Sequence, residues 1–339
     1  MDGEVKGRGA LSNPQGRFAR AQREPDADAL AAEAAEVAAL PKLPTHRHID
    51  TARSIIARNR SPDLPFSQSI NPYRGCEHGC IYCYARPTHA YLDLSPGRDF
   101  ETELYYKPNA RDLLRAELAA PRYMVSPIAL GTNTDPYQPI ERDLRVTRGI
   151  LELLLELRHP LTIVTKGTLI LRDLDLLAEL AKHDLVAVNV SLTTLDNELK
   201  RRMEPRTAGP QQRLNMVGEL ASRGIPTGVL VAPIIPGLND NELEHMHEAA
   251  AQRGACSAGY VLLRLPHEVE SLLRQMRGGT LNDPAFFSRQ RGNGPFAELL
   301  RARFERARRA WHLNREVALC TSLFSPPRES TSQLELWHA

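Results

Sequence analysis

Cys76, Cys80 and Cys83 stand close together in the run Gly75-Cys76-Glu77-His78-Gly79-Cys80-Ile81-Tyr82-Cys83-Tyr84. Thiolates are soft ligands that suit iron-sulfur clusters or zinc, and three of them so crowded share one centre only if the backbone wraps around it. A cubane 4Fe-4S cluster has four iron corners, so three thiolates leave one iron open to a small molecule. The competing occupant is a structural zinc ion with His78 or His89 as fourth ligand, a Cys3His set. Zinc sites usually gather ligands from two separated pairs, and the sequence offers no second Cys-x-x-Cys and no His-x3-His. An odd cysteine number, the lack of a signal peptide and the lack of a long apolar run predict a reducing cytoplasm and no membrane contact.

Elements must hold this loop in place. The chain has 339 residues and a net charge of +2, enough length for one large domain or two ordinary ones, and the charge alone implies no partner. Residues 1–50 read as a mostly disordered extension, with a Gly- and Arg-containing start and an Ala and Glu tract poor in large apolar side chains. Beyond Ser67, short apolar runs alternate with helical periodicity. The spacing predicts strands over Ser69 to Tyr73, Pro127 to Gly131, Leu161 to Thr165, Val186 to Ser191, Thr227 to Ala232 and Tyr260 to Leu265. Amphipathic helices are predicted over Ala110 to Ala119, Val146 to Leu157, Leu171 to Lys182, Gln211 to Ser222 and Glu242 to Gln252. Six such units fall short of the eight that close a barrel, so the expected fold is α/β, a partial open (β/α)6 TIM-type barrel over residues 51–266. A basic helical extension over 267–325 and a tail over 326–339 complete the predicted organisation. Residues with chemical potential should then follow the strands. They do: after the cysteine loop come Gly131 to Pro139, Lys166-Gly167, Ser191 with Thr193 and Thr194, and Pro233 to Asp240.

The spacing Cys-x3-Cys-x2-Cys with Tyr82 before the last cysteine resembles the signature of the radical SAM superfamily. The resemblance implies that the open iron holds the amino and carboxylate groups of S-adenosyl-L-methionine, which the cluster cleaves to a 5'-deoxyadenosyl radical. It also implies a low-potential electron donor, flavodoxin or ferredoxin. The loop after the second strand lacks the Gly-Gly-Glu often found there and resembles the branch containing spore photoproduct lyase. By that resemblance Thr132, Asn133, Thr134 and Asp135 bind the methionine amino group, Lys166 its carboxylate, Ser191 that carboxylate or the ribose, and Glu204 and Arg206 line the pocket. Gly237 lets the backbone pass near adenine, and Tyr82 and Tyr84 resemble tyrosines of a radical relay. Each has a plainer reading: a turn, a solvated lysine, a loop ion pair, or aromatics that shield a cluster from water. The lyase's hydrogen-donating cysteine has no counterpart here, since Thr132, Asn133 and Thr134 occupy its loop. The resemblance runs from Lys6-Gly7-Arg8-Gly9-Ala10 over nearly the whole chain.

Two features point toward damaged nucleic acid as a substrate or partner. From Arg264 to Arg315 there are eleven Lys and Arg against five Asp and Glu. Within Phe296 to Arg315, Leu300, Phe304, Ala307 and Trp311 share one helical face and leave Arg301, Arg306, Arg308 and Arg309 largely outside it, able to meet phosphates or merely to be solvated. Gln333-Leu334-Glu335-Leu336-Trp337 resembles a sliding-clamp docking peptide, or could close the barrel edge as a strand. A non-catalytic iron-sulfur repair accessory that binds DNA or the clamp is the rival reading.

Overall fold

The computed structural model describes residues 8–10, 13, 43–263, 286 and 288–327. Among these residues the strands are β1 (His46–Ile49), β2 (Ile56–Arg58), β3 (Gln68–Ile70), β4 (Tyr73–Arg74), β5 (Glu103–Tyr106), β6 (Ile128–Leu130), β7 (Leu161–Thr165), β8 (Val186–Ser191), β9 (Thr227–Ile234) and β10 (Ser257–Leu262). The longer helices are α1 (Ala110–Leu118), α2 (Val146–Glu156), α3 (Leu174–Ala181), α4 (Asn197–Met203), α5 (Pro210–Ser222), α6 (Leu243–Gln252) and α7 (Pro295–Ala310).

The main sheet runs β10-β9-β8-β7-β6-β3-β2. Its first six members are parallel neighbours, which is the expected partial (β/α)6 barrel, and β2 adds an antiparallel edge to β3 that the sequence did not announce. Ile128, Leu130, Ile163, Val188, Val190, Val229 and Val231 are fully buried along these strands, as expected where helices and barrel interior cover both faces. Among the described residues no helix is long and apolar enough to cross a membrane.

Three predicted elements are corrected. The first strand is split: β3 ends at Ile70, and Tyr73 belongs to a second sheet of order β1-β5-β4. Pro72 cannot donate to a ladder, and Asn71 turns its side chain to the backbone N–H of Asn133, 2.9 Å away, so the pairing breaks between them. The sixth strand begins at Ser257 rather than Tyr260, and the third helix begins at Leu174 after a 3-10 turn over Thr168–Asp173. Order also reaches into the first fifty residues. β1 pairs with β5 in parallel register, His46 opposite Glu103, and Arg8 is buried. The clamp-like peptide Gln333 to Trp337 lies outside the described residues.

Candidate active site

The short β4 pairs antiparallel with β5 and delivers the chain directly into the cysteine loop. Gly75 and Gly79 take φ of +77° and +67°, a region costly for residues with a Cβ. A Cβ at Gly75 would lie 2.6 Å from Leu104, and one at Gly79 would lie 2.9 Å from the Glu101 carboxylate. The loop is thus bent by its glycines and packed from behind. Cys76 donates its backbone N–H to Phe100 at 2.9 Å and Cys83 to Cys80 at 3.2 Å.

Side chains that the spacing did not single out brace this loop. The Gln138 amide accepts from the Glu77 N–H at 3.0 Å and donates to the Gly75 carbonyl at 3.1 Å. Arg86 donates through Nε and Nη2 to the Cys80 carbonyl at 3.1 and 2.9 Å and reaches buried Glu101. Gln138 was visible as part of the loop after the second strand, but nothing in a linear sequence shows that its amide faces Gly75.

The loop between β8 and α5 meets the cysteine loop edge to edge. Ile81 N–H bonds the Met203 carbonyl at 3.0 Å, and Arg206 N–H bonds His78 at 3.2 Å. Glu204 is fully buried and accepts from Tyr82, Arg213 and, at 2.7 Å, Thr193. Burial alone would raise its pKa; the Arg213 and Lys166 charges with the Thr193 and Tyr82 hydrogen bonds prevail and hold it far below the usual carboxylate range. Lys166 Nζ sits 3.6 Å from Glu204, donates to Ser191 and lies 6.0 Å from the Tyr82 ring centre. The structure therefore unites Tyr82, Lys166, Ser191 and Glu204, and adds Thr193 and Arg213.

Other predicted site residues are placed differently. Asp135 accepts from Thr165 at 2.6 Å and from the Lys166 N–H at 2.7 Å, and lies 3.3 Å from His78, so its oxygens already hold backbone and side-chain donors. Thr134 is buried and donates to the Tyr73 carbonyl at 3.0 Å. Thr132 bonds Asn71 through its hydroxyl, and Asn133 is exposed. Tyr84 is 58% exposed and donates to the Thr132 carbonyl, away from Glu204. Arg206 pairs with Glu77 at 3.1 Å. Gly237 takes φ of +75° in an exposed turn where a Cβ would meet nothing within 4 Å, so the turn, and no close neighbour in the chain, demands glycine. His78 Nδ1 lies 3.3 Å from Asp135, and His89 turns its Nε2 to the Glu103 carbonyl at 2.9 Å.

A thiolate loop set at the C-terminal mouth of an incomplete (β/α)6 barrel, beside a buried cluster of charges, defines an enzyme that works with an iron-sulfur centre. The chain belongs to the radical SAM superfamily, whose family model matches residues 70–250. It is 45% identical over 205 residues to an uncharacterised protein of Mycobacterium tuberculosis, a match that covers 60% of each chain. A radical SAM Nalpha-GlyT isomerase of Pseudomonas phage M6 is 25% identical over 194 residues, covering 56% of this chain and 38% of its own. Spore photoproduct lyase complexed with dinucleoside spore photoproduct superposes with a TM-score of 0.56 at 14% identity, covering 78% of this chain and 79% of that one.

The family uses a 4Fe-4S cluster and S-adenosylmethionine. The residues fit the cluster. Cys76 is buried with Ala85 and Phe100, and Cys83 packs against them. Burial pushes all three thiols up, Cys80 to about 12, and a bound iron would supply the positive charge that favours their thiolates. Among the described residues no three such side chains converge on one point, and a cubane does not require it, since each thiolate takes its own corner.

Proposed function

We propose that this chain cleaves S-adenosylmethionine reductively in the cytoplasm and abstracts hydrogen from a nucleic-acid substrate. When bound, the cluster supplies the electron that breaks the sulfonium and yields the 5'-deoxyadenosyl radical, with flavodoxin or ferredoxin as donor. Cys76, Cys80 and Cys83 hold the cluster, Lys166 and Ser191 receive the methionine carboxylate, and Thr132 and Asn133 receive its amino group.

The observation that carries this reading is a charge count beside the thiolates. Glu204 is met by two cations, Arg213 and Lys166, all three acting electrostatically on Cys80. Lys200 also acts electrostatically on Glu204 and Cys80, so the cations outnumber this carboxylate. Arg213 is fully buried and committed to Glu204 and to the Ser191 carbonyl at 3.0 Å, so Lys166, with 14% of its side chain exposed, is the cation that can turn to an arriving carboxylate. Tyr82 donates to Glu204 and walls the pocket beside Cys83. In this reading it positions and shields, and Tyr84 stands at the rim to relay a radical.

For the substrate, support comes from α7, whose Arg301, Arg306 and Arg309 are exposed, from a relative whose name refers to a GlyT, and from a protein of similar fold solved with a dinucleoside spore photoproduct. Anaerobic reconstitution should give about four irons per chain, and reductant plus S-adenosylmethionine should yield 5'-deoxyadenosine. Cys83→Ala should abolish that product. With deuterated DNA as substrate the label should appear in 5'-deoxyadenosine; cleavage without deuterium transfer would overturn the nucleic-acid assignment, and no cleavage would overturn the enzyme.

A further inference from the structure

The Arg8-Gly9-Ala10 arm is far in sequence from the cysteines and near them in space. Gly9 lies so close behind the loop that a Cβ there would stand 1.8 Å from the Gly79 carbonyl. Gly9 and Ala10 donate their N–H groups to the two Glu101 carboxylate oxygens at 3.0 and 2.9 Å. The same carboxylate receives Arg86, which also holds the carbonyl of the cluster ligand Cys80. One fully buried anion therefore fastens the arm and the ligand's backbone together.

Arg8 extends the fastening to the other side of the loop. Its guanidinium donates to the Glu101 carbonyl at 2.6 Å, the Leu43 carbonyl at 3.0 Å and the Thr45 hydroxyl at 2.8 Å. Thr45 in turn donates to Glu77 at 2.8 Å, the carboxylate that Arg206 meets. Glu77 and Gly79 lie between Cys76 and Cys80, so the arm grips both flanks of this stretch.

We propose that the arm is a positioning element of the cluster site, with Arg8 raising the reduction potential of the cluster and Gly9 sealing the loop from water and oxygen. The physical basis is twofold. A reduced cluster is more negative than an oxidised one, so a buried cation held beside the loop favours reduction. The close approach of Gly9 to Gly79 covers the backbone of the loop, and solvent exposure is a second determinant of cluster potential and stability. Arg8 contacts no ligand atom itself; it acts through Glu101, Thr45 and Glu77. The inference rests on the cysteine loop holding a cluster and is independent of the substrate.

The test uses the full chain, reconstituted anaerobically, as wild type and as Arg8→Ala, Arg8→Lys and Gly9→Ala. A potentiometric titration followed by electron paramagnetic resonance reads the potential, and bleaching of the cluster absorbance in air reads the seal. Arg8→Ala should make reduction about tenfold less favourable, about 59 mV for a one-electron couple. Arg8→Lys, which keeps the charge and loses the guanidinium fork, should recover most of that shift. Gly9→Ala changes no charge and should speed bleaching at least severalfold. Potential and bleaching unchanged in both Arg8→Ala and Gly9→Ala overturn the proposal, as does an Arg8→Lys protein no different from Arg8→Ala. These readouts need only the cluster, so a chain that loads iron yet fails to cleave S-adenosylmethionine would sink the proposed activity and leave the arm's role standing.

Discussion

At the residue scale, Glu204 is a carboxylate removed from water, and Arg213 is the cation that makes its burial tolerable. Arg213→Leu would leave a buried charge whose remaining partners are Lys166, 3.6 Å away, and the hydroxyls of Tyr82, Thr193 and Thr207. Breaking a buried pair in this way costs about 3–5 kcal/mol, which urea denaturation of the apo protein should register as a lower midpoint at unchanged slope. Arg213→Lys should not rescue it fully, because a single ammonium cannot reach Glu204, the Ser191 carbonyl and the Ala208 carbonyl together. An unchanged midpoint in Arg213→Leu would remove the pair from the list of supports. The contrast between these two residues explains what a linear reading could see. The cysteines were legible because their chemistry is written in local spacing, and Glu204 because its segment after the fourth strand resembles one that lines the pocket in the family. Arg213 sits in the first turn of α5, where an arginine looks like any solvated charge until the fold places Glu204 against it. Glu101 and Arg86 were hidden for the same reason.

Among elements, α7 shows how a basic face is fixed to a barrel edge. Leu300, Phe304 and Ala307 are buried, as their spacing predicted, while Trp311 at the end of the stripe is only half-buried. Phe304 meets the rings of His247 on α6 and Tyr260 on β10 at centroid distances of 4.8 and 4.5 Å. Arg303 clasps Glu244 of α6 at 2.6 Å, so this arginine is spent on attachment, and Arg308 pairs with Glu305 of its own helix. Phe304→Ala should therefore cost about 3–5 kcal/mol by cavity formation and loosen α7 before the barrel. Hydrogen exchange should show faster exchange along α7 and α6 than along β7 and β8; uniform protection would mean that the helix is held by other contacts. The main strands were readable because each is a short run rich in buried apolar residues, as in Leu161–Thr165 and Val186–Ser191. The small sheet was not, since β4 is two residues long and its partner β5 lies some thirty residues away, beyond any local pattern.

Across the whole molecule, the two ends of the barrel are built for different tasks. Residues with chemical potential gather at the C-terminal mouth, and the chain after α7 runs across the opposite end as a strap. Ala258 N–H bonds Leu313 at 2.9 Å, Cys320 N–H bonds Asp184 at 2.8 Å, and Ser325 N–H bonds Leu157 at 2.9 Å. The strap ends where Phe324 packs edge-on against His159, 5.0 Å between centroids, and Tyr123 bonds the same imidazole at 2.7 Å. Burial pushes the His159 pKa down from 6.5 to about 4, against a weaker opposing hydrogen bond to the Pro160 carbonyl. Between those values the unfolded chain binds a proton that the folded chain refuses, so stability rises with pH over that window. The contribution is complete above about pH 6.5 and is lost as pH falls toward 4, a difference of about 3 kcal/mol from one group. Urea midpoints measured from pH 7 to pH 4 should fall more steeply for wild type than for His159→Gln, which keeps polar atoms facing Tyr123 and cannot charge. Parallel curves would show that the strap is indifferent to this proton, and would shift the acid sensitivity to the buried carboxylates at the mouth.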